Sequence, residues 1–140
     1  MSPPSDEPPE RAPDAAMPAR RPMVLLIDDE PLILRVMAQM LSREYDVTLE
    51  PTGSAALERF RRGERFDAVL CDLMMPHVTG MDLYERVAEL APEQARRMLF
   101  LTGGAFTTRA RAFVEERPQA LIEKPFDAAT LLGRVRQLLR

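Results

Sequence analysis

In 140 residues the chain has one cysteine, one histidine, one lysine and no tryptophan. A lone Cys71 excludes an intramolecular disulfide framework and favours a reducing, cytoplasmic setting. Cys71 and His77 cannot supply the ligands of a zinc site, and a serine or cysteine nucleophile would have only His77 as its base. No run of about 18 apolar residues is present, so no membrane-spanning helix is expected. The polar, proline-rich start lacks the apolar stretch of a secretory signal. Net charge is -3, and the nineteen basic residues are scattered rather than gathered on one element. No nucleic-acid surface is expected from such a pattern.

What remains is a length suited to one domain with a single core. Residues 1–22 hold seven of the thirteen prolines, mixed with charged residues, and read as a disordered or polyproline-like tail or linker. From Met23 onward the texture changes. Short apolar runs alternate with helix-patterned segments of 10 to 15 residues, the pattern of repeated βα units. Strands are expected at 23–27, 45–50, 66–71, 98–101 and 120–123, each followed by one helix. Glu30-Pro31 opens the first helix, Thr52 or Ser54 caps the second, and the third carries Leu83, Val87 and Leu90 on one side. Asp127 caps the last. Right-handed crossovers then give a parallel sheet with helices on both faces.

Four of these strand ends carry polar residues directly after the apolar run: Asp28 and Asp29, Asp72, Thr102, and Lys124, the only lysine. In a parallel sheet they share the carboxyl edge, where α/β proteins bind ligands. Three carboxylates gathered there repel one another, and a divalent cation is the simple means of keeping them ionised. Magnesium suits oxygen donors of this kind. A hydroxyl and an ammonium beside them are what the oxygens of a phosphoryl group require.

Residues 23–140 resemble a response-regulator receiver domain, the CheY-like family of two-component signalling. The resemblance rests on Leu-Leu-Ile-Asp-Asp-Glu-Pro at 25–31, Asp-Leu-Met-Met-Pro-His-Val-Thr-Gly at 72–80, Leu-Thr-Gly-Gly-Ala at 101–105 and Glu-Lys-Pro-Phe at 123–126. It implies a flavodoxin-like (βα)5 fold with strand order 2-1-3-4-5. Asp72 is then the phospho-acceptor; Asp29, Asp72 and the Met74 carbonyl are Mg²⁺ ligands, with Asp28 acting through water. Thr102 would bond the phosphoryl group, Lys124 would pair with it, and the Lys124-Pro125 peptide would be cis. The implied partner is a histidine kinase or histidine phosphotransfer protein, with the receiver a monomer or weak homodimer. Such a domain promotes its own aspartyl phosphorylation and dephosphorylation and is not otherwise an enzyme.

One position departs from the family. An aromatic residue usually stands three residues before the lysine, and here it is Leu121, so output is expected to depend less on a rotamer switch. Met74 and Gly104 leave the pocket entrance without an acid or amide to orient water, and slow-to-moderate dephosphorylation is expected. Helix one has apolar residues over an arc of roughly 200°, wider than one buried stripe needs, so its Leu32/Val36 edge is expected to dock a donor helix bundle. No attached output domain is expected after the fifth helix. It reads as a stand-alone regulator or as the receiver part of a hybrid histidine kinase. An aspartyl-phosphate phosphatase is the alternative from another class; it would want an acid at position 74, where the chain has methionine.

Overall fold

The computed structural model describes residues 20–104 and 107–140. The tail expected over 1–22 falls mostly outside this range, as does Ala105 of the fourth-strand motif. Five strands, β1 (Met23–Ile27), β2 (Asp46–Glu50), β3 (Ala68–Asp72), β4 (Met98–Thr102) and β5 (Leu121–Glu123), form one parallel sheet. Their order is β2-β1-β3-β4-β5, as the resemblance implies. Every residue of β3 and β4 is buried. That is why these two segments are apolar without alternation: helices cover both faces.

Helices α1 (Pro31–Leu41) and α6 (Ala128–Leu139) cover one face, packing on Val24, Leu26, Leu70, Leu101 and Ile122. Helices α2 (Gly53–Arg61), α3 (Gly80–Leu90) and α5 (Thr108–Glu116) cover the other, against Leu25, Ile27, Val69, Cys71 and Phe100. Chain direction reverses between β1 and β3, since β1 leads outward to β2 and the chain returns to β3 on its other side. That switch point opens a crevice at the carboxyl edge.

Local chemistry sets the helix ends. Thr52 caps α2 by accepting from the Ala55 amide at 3.1 Å, and Gly63 follows the helix at φ 93°, where a Cβ would be strained. Thr79 and Asp82 form a reciprocal capping box on α3, and Asp127 accepts from Thr130 at the start of α6. In α1 only Leu34, Met37 and Leu41 are fully buried; Val36 is half-buried and Leu32 is 63% exposed.

Strict alternation of five strands and five helices does not hold. Ala91 leaves helical geometry at φ -152°, and Pro92 starts a separate short helix, α4 (Pro92–Ala95). Leu90, expected on one side with Leu83 and Val87, is 47% exposed at the break while those two are buried. Helix α4 instead buries Gln94, whose amide accepts from the Phe66 N–H at 2.8 Å and donates to the Phe66 carbonyl at 3.0 Å. This side chain satisfies a backbone that would otherwise be buried without partners, so β3 begins at Ala68 rather than Phe66. At the other end of the chain, Arg21 and Pro22 already belong to the fold. The Arg21 guanidinium donates to the Tyr45 carbonyl at 3.2 Å, and the Pro22 carbonyl accepts from the Asp46 amide at 2.9 Å.

Candidate functional site

The carboxyl edge gathers the residues that end β1, β3, β4 and β5. Asp28 and Asp29 follow Ile27, Asp72 is the last residue of β3, Thr102 is the last of β4, and Lys124 follows Glu123. Register explains the meeting: Ile27 pairs with Cys71 and Asp72 with Leu101, so β1, β3 and β4 end level with one another. Lys124 is brought in from β5, its amide donating to the Thr102 carbonyl at 2.7 Å. The Lys124-Pro125 peptide is cis.

Carboxylate oxygens of Asp28, Asp29 and Asp72 lie within 4.8 Å of one another. The Lys124 ammonium sits 3.1 Å from Asp72 Oδ1 and 3.3 Å from Asp28 Oδ2. Asp28 Oδ1 accepts from the Glu30 amide at 2.9 Å, so both Asp28 oxygens are engaged. Exposed Asp29 and the second oxygen of Asp72 have no hydrogen-bond partner among the described residues. An open cleft of about 310 Å³ leads to them, lined by Asp29, Glu30, Asp72, Met74, Gly103 and Lys124. Thr102 is buried at the end of β4, 4% exposed.

The cluster is under electrostatic stress. Burial, then the neighbouring Asp28 carboxylate, push the Asp72 pKa from 3.8 up to about 6 against the opposing pull of Lys124. Burial also raises Asp28, though the Glu30 amide and Lys124 oppose it. For Lys124, burial works against the charge but Asp72 and Asp28 outweigh it, and its pKa lies above the ordinary lysine value. Three carboxylates against one ammonium leave two negative charges uncompensated. A hard divalent cation with oxygen ligands fits that donor set and that charge.

The structure brings together Asp28, Asp29, Asp72 and Lys124, with Met74 at the cleft and Thr102 on the strand next to Asp72. Two contributors were not foreseen. The Glu30 amide orients Asp28, a backbone contact that no residue type announces. Gly80 lets α3 start directly on the end of β3: its amide bonds the Leu73 carbonyl at 2.9 Å, and a Cβ there would lie 2.7 Å from the Asp72 carbonyl oxygen. Leu121 is half-buried and pairs in register with Phe100, whose ring packs edge-on against Tyr84 and Phe113 at 6.0 and 4.9 Å.

Comparison with known proteins places this arrangement in a family. The model of the response regulator receiver domain matches residues 24–136, and the chain belongs to that family. It is 30% identical over 118 residues to the response regulator ArlR of Staphylococcus saprophyticus, covering 84% of this chain and 52% of that protein. It is 28% identical over 120 residues to the 3',5'-cyclic-nucleotide phosphodiesterase regA of Dictyostelium discoideum, covering 84% of this chain and 15% of that one. The chain thus spans about half the length, or less, of these relatives. Among solved structures, a CheY-like receiver domain protein from Methanospirillum hungatei superposes with a TM-score of 0.75 at 27% identity, covering 86% of this chain and 94% of the other. A receiver domain protein from Clostridium thermocellum gives 0.73 at 25% identity, covering 84% and 94%.

Receiver domains act as phospho-acceptors in two-component signalling, work with histidine kinases or phosphotransfer proteins, and generally bind Mg²⁺ at an acidic pocket. No helix among the described residues is long and apolar enough to cross a membrane.

Proposed function

We propose that Asp72 accepts a phosphoryl group from a phosphohistidine on a histidine kinase or histidine phosphotransfer protein. The observation that supports this most is a buried carboxylate at the switch point, 3.1 Å from the chain's only lysine and lining a cleft open to solvent. An Asp72 oxygen attacks phosphorus in line; the bond to the donor imidazole nitrogen breaks as the acyl-phosphate bond forms. Lys124 pairs with the transferring oxygens, and Asp28 holds the ammonium in place from its other side. Thr102 bonds the phosphoryl group once it is attached. Asp29, Asp72 and the Met74 carbonyl would hold Mg²⁺ directly and Asp28 through water; the bound ion supplies charge neutralisation for the oxygens in flight.

The donor docks beside Asp29 on the edge of α1 that carries exposed Leu32 and half-buried Val36. A folded Val36→Asp protein with unchanged phosphotransfer would remove that docking edge. Output runs through protein contacts rather than a swinging β5 aromatic, so a phosphoryl analogue should leave residues 105–122 with small NMR shifts. Large shifts there would contradict it. Met74 on the cleft wall offers no acid or amide to orient water, and the acyl phosphate should outlast a half-life of seconds.

The receiver serves either as a stand-alone regulator or as part of a hybrid histidine kinase, with the expected tail or linker of residues 1–22 shortened at its end, where Arg21 and Pro22 bond to the domain. Incubation with Mg²⁺ and a small phosphodonor, followed by intact mass, tests the acceptor. One added phosphoryl group that is absent in Asp72→Asn supports the reading; no modification refutes it.

A further inference from the structure

We propose that Gly53, at the first turn of α2 and outside the acidic cluster, is a positioning residue that sets the β3–α3 loop for magnesium. This rests on the reading of the site given above.

The loop from Leu73 to Thr79 carries Met74, and two glycines grip it. At its base, Gly80 touches the backbone of the acceptor strand: a Cβ on it would lie 2.7 Å from the Asp72 carbonyl oxygen and 2.9 Å from Leu73 Cα. Near its far end, a Cβ on Gly53 would lie 2.8 Å from both Val78 Cγ1 and the Val78 carbonyl oxygen. Between these grips the chain reverses at His77, which has φ 65°. The base is closed by the Gly80 to Leu73 hydrogen bond at 2.9 Å and by the Thr79–Asp82 capping box.

A side chain at position 53 would therefore push on a loop that cannot yield at its base. Ordinary Cβ contacts begin at 3.4 Å, so the loop would have to move by roughly 0.6 Å, the difference between 3.4 and 2.8 Å. Three residues separate Val78 from Met74, and the displacement passes along them toward the cleft. Magnesium binds near-ideal octahedral sites at about 2.0–2.1 Å, whereas calcium accepts six to eight oxygens at about 2.3–2.6 Å in flexible geometry. Metal sites tolerate errors of about 0.2 Å. A shift of this size should thus harm magnesium binding selectively, a signature that general destabilisation does not produce.

The test titrates the intact chain with Mg²⁺ and with Ca²⁺ by calorimetry or NMR, for wild type and Gly53→Ala. Affinity for Mg²⁺ is expected to fall by about tenfold or more, in the range found when supporting groups around a metal are altered, while Ca²⁺ affinity falls by less than about threefold. Val78→Ile adds bulk to the same contact from the loop side and should give the same selective loss, so the test survives if Gly53→Ala fails to fold. Gly133→Ala, where a Cβ meets nothing within 4 Å, should change neither affinity. Equal losses for the two ions, or no loss in folded Gly53→Ala and Val78→Ile, would overturn the proposal. Failure of the wild-type protein to bind Mg²⁺ at all would overturn the site reading and the proposal with it.

Discussion

Replacing the acceptor should make the cation-free protein more stable. Asp72 has its pKa raised from 3.8 to about 6 by burial and by Asp28, even with Lys124 beside it. The folded protein therefore keeps a proton on Asp72 up to about pH 6, whereas the unfolded chain releases it near pH 4. In that window the unfolded state binds fewer protons, so this carboxyl makes stability fall as pH rises. Two pKa units correspond to about 3 kcal/mol, and screening discounts little of it because the side chain is 10% exposed. Asp72→Asn mimics the neutral carboxyl. In chelator-treated samples it should be more stable than wild type by about 2–3 kcal/mol at pH 7 and by little near pH 4. Urea unfolding of both proteins across that range measures the difference. The comparison also cancels the carboxylates whose pKa values are lowered, such as Asp82 and Asp127, which lose stabilisation as pH falls. Saturating Mg²⁺ should erase or invert the gap, since the ion stabilises the charged cluster. A variant less stable than wild type at pH 7 without cation, or a gap independent of pH, would refute the electrostatic reasoning.

Other outcomes follow from the same structure. Gln94→Ala leaves the buried Phe66 N–H and carbonyl without partners and should cost about 2–4 kcal/mol by urea unfolding; a loss below about 1 kcal/mol would remove the latch. Gly133→Ala adds a methyl in open space within α6 and should stabilise by about 0.5–1 kcal/mol on the same assay. His77→Gly relieves a left-handed backbone at φ 65° and should raise stability by up to about 1 kcal/mol without changing phosphorylation.

The site was largely legible because each buried parallel strand is an apolar run, and the first polar residue after it marks the carboxyl edge. Asp28, Asp72 and Thr102 stand at such breaks, with Asp29 and Lys124 one residue further on, and the strand order brings these ends to one edge. What escaped depends on contacts between distant backbones. Helix α4 is four residues long, so it has no hydrophobic period to read, and Gln94 is buried only because Phe66 needs partners. Leu90 fits the inward pattern of α3 but falls where Ala91 ends the helix. Val36 and Leu32 differ in exposure although both are apolar, because the sheet and α6 occupy only one side of α1. The Glu30 amide and the Gly53 contact carry no sequence signal, since one is backbone and the other is the lack of a side chain.

The most direct measurement is to locate the phosphoryl group after transfer from a phosphohistidine donor in the presence of Mg²⁺. Borohydride reduces an acyl phosphate to an alcohol, so reductive trapping and peptide mass mapping identify the acceptor carboxyl. Conversion of Asp72 to homoserine, with no trapped residue in Asp72→Asn and transfer sharply slowed in Lys124→Ala, is the result expected. Homoserine at Asp28 or Asp29 instead, or efficient transfer to a protein lacking Asp72, would contradict the assignment.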